Sequence, residues 1–169
     1  MKTLLSTLLL CTAFLFMTVS AQAQTDKSQR PSPPAQAKGT IQNAEVTIDY
    51  STPSVKGRTI WGDLVPYGKV WRTGANEATT IETSADIMIQ GQKLPAGKYA
   101  LFTIPGKTEW VWIFNSVWDQ WGAFKYDQNK DVLRVKAVPQ GNPVYNELMR
   151  FEIRDDMVYL YWENLQVSF

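Results

Sequence analysis

Histidine is absent from all 169 residues, and cysteine occurs once, at position 11. The first absence removes Ser-His-Asp and Cys-His nucleophile activation, histidine general-base chemistry near neutral pH, and imidazole ligation of zinc, copper or iron. The second removes a disulfide framework. Because Cys11 lies in a segment expected to be cleaved, a reactive thiol and an iron-sulfur site go with it. Charge of one sign is lacking as well: of 17 basic residues only Lys2 precedes position 24, and all 16 acidic residues follow it, so the chain beyond the leader is formally neutral. That leaves no electrostatic footprint for nucleic acid and no polybasic membrane patch. Any catalysis falls to carboxylates, Lys, Tyr, Arg or an oxygen-ligated metal, and neither a cofactor nor a metal site is expected.

Only one long apolar run is present. Lys2 is followed by Leu4 to Val19 and then by the small-residue stretch Ser20-Ala21-Gln22-Ala23. The run is shorter than the roughly 20 residues that span a bilayer, and Ala21-Gln22-Ala23 has the A-x-A form of a cleavage site. The reading is a signal peptide over residues 1–23 and a mature chain, periplasmic or secreted, that starts at Gln24 and has no membrane span. Cys11 is a poor lipid acceptor, since Ala13, Phe14, Leu15 and Phe16 of the apolar core still follow it.

Residues 24–39 carry three prolines and no aromatic or β-branched apolar side chain. Such a composition cannot offset the entropy of ordering, so it predicts a flexible linker. Residues 40–169 are then a single β domain. Val46, Ile48 and Tyr50 alternate with polar neighbours, as do Ile87 and Ile89, and Leu133, Val135 and Ala137. This period of two marks half-buried strands. Tyr99 to Ile104 and Trp110 to Phe114 are apolar on both faces, which suits central strands joined through Pro105-Gly106-Lys107. Arg154-Asp155-Asp156 separates two further strands. In the last one Val158, Leu160 and Trp162 are out of phase with Leu165, Val167 and Phe169, so a bulge or break is expected near Glu163-Asn164. The fold class is all-β, an antiparallel β-sandwich or jelly-roll-like arrangement with little helix.

Two segments break the alternation. Pro53 to Thr80 is a long connection of Gly, Pro, aromatic and charged residues, and long structured loops in small domains are often functional. Within it Tyr67, Trp71, Arg72, Asn76 and Glu77 are candidate ligand-binding residues: flat rings, a planar cation, an amide and a carboxylate. The structural alternative is an Arg72–Glu77 ion pair that pins the loop while Trp71 packs in the core. Asn115 to Asp131 supplies Trp118, Trp121 and Tyr126, aromatics beside amides and carboxylates as on sugar- or peptide-binding surfaces. The alternative here is a lid whose rings fold back over the core. Asp127, Asn129 and Asp131 have the spacing that opens a calcium loop, but the glycine and distal glutamate are missing.

The runs STPSVKGRTIWGDLVPYGKVWRTGANEATTI (51–81), LPAGKYALFTIPG (94–106) and QWGAFKYDQNKDVLRV (120–135) resemble exported bacterial proteins grouped as domain of unknown function 2911. The resemblance includes Tyr67, Gly68, Trp71, Arg72, Gly74, Asn76, Glu77 and Thr79. It implies a secretory signal and a β-rich domain, and no reaction or ligand. The reading that follows is a noncatalytic envelope module for a small polar or carbohydrate-like ligand. One alternative is a cofactor-independent hydrolase or isomerase using Glu77 or Asp119 with Arg72 as electrostatic partner; another is a structural or partner-binding module.

Overall fold

The computed structural model describes residues 26–169, so the leader expected over 1–23 lies outside the described residues. Ten strands form the domain: β1 (Pro34–Ile41), β2 (Ala44–Ser51), β3 (Thr80–Thr83), β4 (Ile87–Ile89), β5 (Gln92–Leu94), β6 (Gly97–Ile104), β7 (Trp110–Asn115), β8 (Asp131–Ala137), β9 (Gln140–Arg154) and β10 (Met157–Ser168). All pairing between them is antiparallel, in a six-stranded sheet of order β1-β2-β3-β6-β7-β8 and two hairpins, β9–β10 and β4–β5. Among the described residues helix is confined to two three-residue 3-10 turns. The all-β expectation holds, and no helix among the described residues is long and apolar enough to cross a membrane.

Local chemistry sets the hairpins. Gln42-Asn43, Gln90-Gly91 and Asp155-Asp156 each place two successive residues at positive φ, between 50° and 77°. That is the turn geometry whose twist matches the strands it joins, and short polar residues or glycine adopt it at least cost.

The central strands are buried on both faces, as their composition predicts. Tyr99, Leu101, Trp110, Trp112 and Phe114 face the main core, where β9 and β10 contribute Met149, Phe151, Val158, Leu160 and Trp162. Ala100, Phe102 and Ile113 point the other way and are covered by Val70, Ala78, Ala123 and Tyr126, all from the two long connections. Within the main core Trp61, Trp71, Trp110 and Trp162 pack with ring centroids 5.0 to 6.5 Å apart, mostly edge to face. Each such pair adds about 0.5–1.5 kcal/mol beyond its buried area.

The phase change in β10 is resolved at Glu163. Its φ is 55°, and the register against β9 shifts on both sides of it. The kink turns Val167 and Phe169 inward, and Phe169 closes back on Val158 through reciprocal backbone hydrogen bonds of 2.9 and 3.1 Å.

The linker expected over 24–39 is corrected by strand β1, which takes in residues 34–39. Its composition hid it because this edge strand buries only Ala37 and Ile41. Pro34 opens the strand, where a missing N–H costs no ladder bond. Gly39 has no side chain because a Cβ there would lie 2.7 Å from the Ile153 side chain. Residues 30–33 are docked as well: the Thr52 N–H donates to the Pro33 carbonyl at 2.9 Å, and the Asn76 amide donates to the Ser32 carbonyl at 2.9 Å.

Candidate functional site

The connection after β2 first runs beside β9, with Met149 N–H donating to Pro53 O at 3.0 Å and Val55 N–H to Glu147 O at 2.8 Å. It later extends the sheet beside β6, where Trp71 and Thr103 exchange backbone bonds of 2.7 and 3.0 Å. Between Arg72 and Thr79 the chain leaves the sheet in a closed loop. Thr79 N–H donates to Arg72 O at the neck, and the Thr79 hydroxyl donates to Thr73 O at 2.8 Å. Thr73 and Asn76 sit at φ 55° and 61°. Gly74 is required by close approach, since a Cβ there would lie 2.9 Å from Thr79 Oγ1 and 3.3 Å from the Ser51 carbonyl. The Asn76 amide also donates to the Ser51 hydroxyl at 3.2 Å.

The second aromatic segment is fastened to this loop. Ala78 N–H donates to Gln120 O at 3.0 Å, Gly122 N–H donates to Asn76 O at 3.1 Å, and Glu77 lies opposite Trp121 as an isolated antiparallel bridge. The two candidate segments are therefore one structure. Its aromatics divide. Trp118, Trp121 and Phe124 are 45%, 55% and 84% exposed, so they form no lid over the core. Tyr126 does fold back, edge-on to Phe102. Its hydroxyl donates to Asp131 at 2.6 Å, Arg134 bonds both, and Asn115 donates to the other Asp131 oxygen at 2.8 Å. Burial, then the Asp131 carboxylate, pushes the Tyr126 hydroxyl up to about 12. This is a structural latch that commits Asp131, while Asp127 caps the 3-10 turn through Asn129 N–H. Among the described residues no three acidic side chains converge as metal ligands would.

The Arg72–Glu77 ion pair of the structural alternative does not form. Glu77 is held by Arg30, whose Nη1 donates to both carboxylate oxygens at 3.0 and 2.8 Å, and by Lys27 at 3.1 Å. Burial by itself raises the Glu77 carboxyl, but hydrogen bonds from Arg30, its own backbone and Lys27 outweigh that and hold it at about 2. Arg30 also lies 5.9 Å from the Trp121 ring centroid, a cation-π contact. Arg72 makes no salt bridge among the described residues, its Nε is buried without a hydrogen-bond partner, and burial draws its pKa down.

Two hollows flank the loop. On one side Glu77 and Trp118 line a groove of about 190 Å³ with Asp49, Lys98, Asp119 and Gln120. Lys98 reaches Asp49 at 3.5 Å and lies 5.1 Å from the Trp118 centroid. On the other side Trp71, Arg72 and Asn76 line a cavity of about 300 Å³ with Arg58 and Trp162. Tyr67 is in neither. It packs over Gly62, with Lys107 6.0 Å from its ring, near the β6–β7 turn.

A family model described as a protein of unknown function, DUF2911, matches residues 32–169. This chain belongs to that family. The matched span of the DUF2911 domain begins at Ser32, the residue that anchors Asn76, and takes in β1, both loops and both hollows apart from Lys27. No curated protein and no solved structure matches the chain.

Sequence reasoning missed Lys27, Lys98 and Trp162, which line the hollows, and Arg30, which holds Glu77. Arg30 and Lys27 lie in the segment read as linker, and Lys98 and Trp162 lie on strands whose alternation marks them only as outward and inward. Nothing in the local sequence pairs Glu77 with a cation 47 positions away.

Proposed function

We propose that the protein is an exported envelope module that binds a small polar or carbohydrate-like ligand, without catalysis, in the groove beside Trp118. Export is supported by the apolar run Leu4 to Val19 and the Ala21-Gln22-Ala23 cleavage pattern. Binding is supported above all by Trp118, a half-exposed indole at the edge of a groove that also holds three carboxylates, two amines and an amide. A ring stacks on the apolar face of a ligand while the polar rim satisfies its hydroxyls. Lys27 is matched by Glu77 and Lys98 by Asp49, which favours a ligand rich in hydroxyl or amide groups over a charged one. The state of Glu77 works against a hydrolase or isomerase reading: a carboxyl held at about 2 is a weak general base near neutral pH.

The test is a thermal-shift screen of the mature protein with neutral mono- and disaccharides, peptidoglycan fragments and amino acids. A ligand that binds only the folded state raises Tm, by about 2.7 kcal/mol of stabilisation at a hundredfold excess over Kd. Trp118→Ala is expected to fold with a nearly unchanged Tm and to weaken the stabilising ligand about tenfold or more. Absence of any stabilising ligand, or full retention of binding by Trp118→Ala, would overturn the assignment.

A further inference from the structure

The cavity on the other side of the loop has a different chemistry. Arg72 and Arg58 both line it, and neither makes a salt bridge among the described residues. Arg58 is held from behind: its Nε and Nη2 donate to the carbonyls of Val55 and Ser54 at 3.0 and 2.5 Å, leaving Nη1 without a partner among the described residues. The Arg72 Nε is buried and unbonded. Gly74, Ala75 and Asn76 line the same cavity, and their backbone N–H groups donate to no described acceptor. Gly74 and Ala75 lie between Thr73 and Asn76, both at positive φ, in the tight turn of the closed loop. Trp71 and Trp162 supply the apolar side, stacked at an interplanar angle of 15°.

Two guanidinium groups, peptide N–H groups without a described acceptor and no lining carboxylate make a cation-rich cavity, with the Ser32 hydroxyl and the Asn76 amide as its neutral polar groups. Its complement is an oxyanion, because carboxylate and phosphate oxygens accept only and suit the planar guanidinium fork. We propose that this cavity is a second binding site, distinct from the Trp118 groove, for a small organic oxyanion whose charged end meets Arg58, Arg72 and the Gly74–Asn76 backbone while its body lies against Trp71 and Trp162. No carboxylate contests the position: the nearest acidic residue in sequence, Glu77, faces the groove and is engaged by Arg30 and Lys27.

The experiment is a titration of the ¹⁵N-labelled mature protein at constant ionic strength with sodium benzoate in one arm and inorganic phosphate in the other. The Gly74 and Ala75 amides and the Trp71 indole N–H are the reporters. Saturable shifts are expected at these signals, with benzoate binding tighter if the acceptor is a carboxylate on an apolar body and phosphate tighter if it is a phosphate. Arg58→Gln, at an exposed position, and Arg72→Gln are each expected to weaken binding about tenfold, the loss of one charge-assisted contact. Trp118→Ala is expected to leave it unchanged, which separates this site from the groove. If Arg72→Gln unfolds, Arg58→Gln decides the matter. Absence of saturable shifts in both arms, or undiminished binding by Arg58→Gln, would overturn the proposal.

Discussion

Replacing Glu77 by Gln keeps the side chain's size and removes the charge that ties residues 27–30 to the domain. The folded carboxyl sits at about 2 against an ordinary 4.5, so the folded state favours ionisation. A depressed carboxyl contributes stability that is present above its unfolded pKa and is lost as pH falls through the folded one. For Glu77 that window runs from 4.5 down to about 2. Two and a half pH units correspond nominally to about 3.4 kcal/mol. The Glu77 side chain is 40% exposed and that of Lys27 57%, however, so solvent screening reduces the usable figure to about 1 kcal/mol. In a domain of this size that is about 3 °C in Tm. The assay is urea unfolding of wild type and Glu77→Gln at pH 7 and at pH 2.5. The variant is expected to be less stable by about 1 kcal/mol at pH 7, with the two curves converging at the acid end. Other carboxylates titrate in both proteins, so the difference between them carries the information. Parallel loss of stability in both proteins across this range would refute the role given to the clasp.

Other consequences are open to simpler measurements. Gly74→Ala places a methyl carbon 2.9 Å from Thr79 Oγ1 and 3.3 Å from a backbone carbonyl, so it is expected to lower stability by about 1–3 kcal/mol in thermal unfolding. Tyr126, raised to about 12, favours the neutral hydroxyl when folded; its stabilisation is present below pH 10 and is lost as pH rises towards 12. Ultraviolet titration of Tyr126→Phe against wild type should accordingly remove one late-ionising phenol. Mass spectrometry of the protein secreted by its host is expected to show a chain starting at Gln24, and a retained leader would contradict the export reading.

Most of the strand framework was legible because it rests on alternation. Ile48, Ile87 and Val135 are buried where a period of two puts them, and Leu101 and Trp112 lie in the runs whose apolar character on both faces marked central strands. The opposed phases of Trp162 and Val167 pointed to the break that Glu163 supplies. Strand β1 was not legible, because it is built of small and polar residues for an edge position and reaches its place through partners far along the chain, Ile153 among them. The candidate loops were found by composition, and the structure brings them together at Glu77 and Trp121. What composition could not give was direction. Arg72 and Glu77 are five positions apart, yet the positive φ at Asn76 turns the chain so that they serve opposite sides of the loop. Trp71 packs against the core and borders the cavity as well, so its packing does not by itself take it out of a binding surface.

The four crossed indoles of the core have an optical consequence. Rings with centroids 5.0 to 6.5 Å apart and interplanar angles mostly between 64° and 84° have strongly coupled, chirally disposed electronic transitions. Their exciton bands fall in the far ultraviolet, on top of the weak signal of twisted β strands. The circular dichroism of this protein is therefore expected to carry an aromatic couplet that reports on side-chain order rather than backbone conformation. A melt followed in that couplet tracks the seating of β10 against the sheet, because Trp162 comes from one and Trp110 from the other. A protein that kept its strands and lost this core would lose the couplet first.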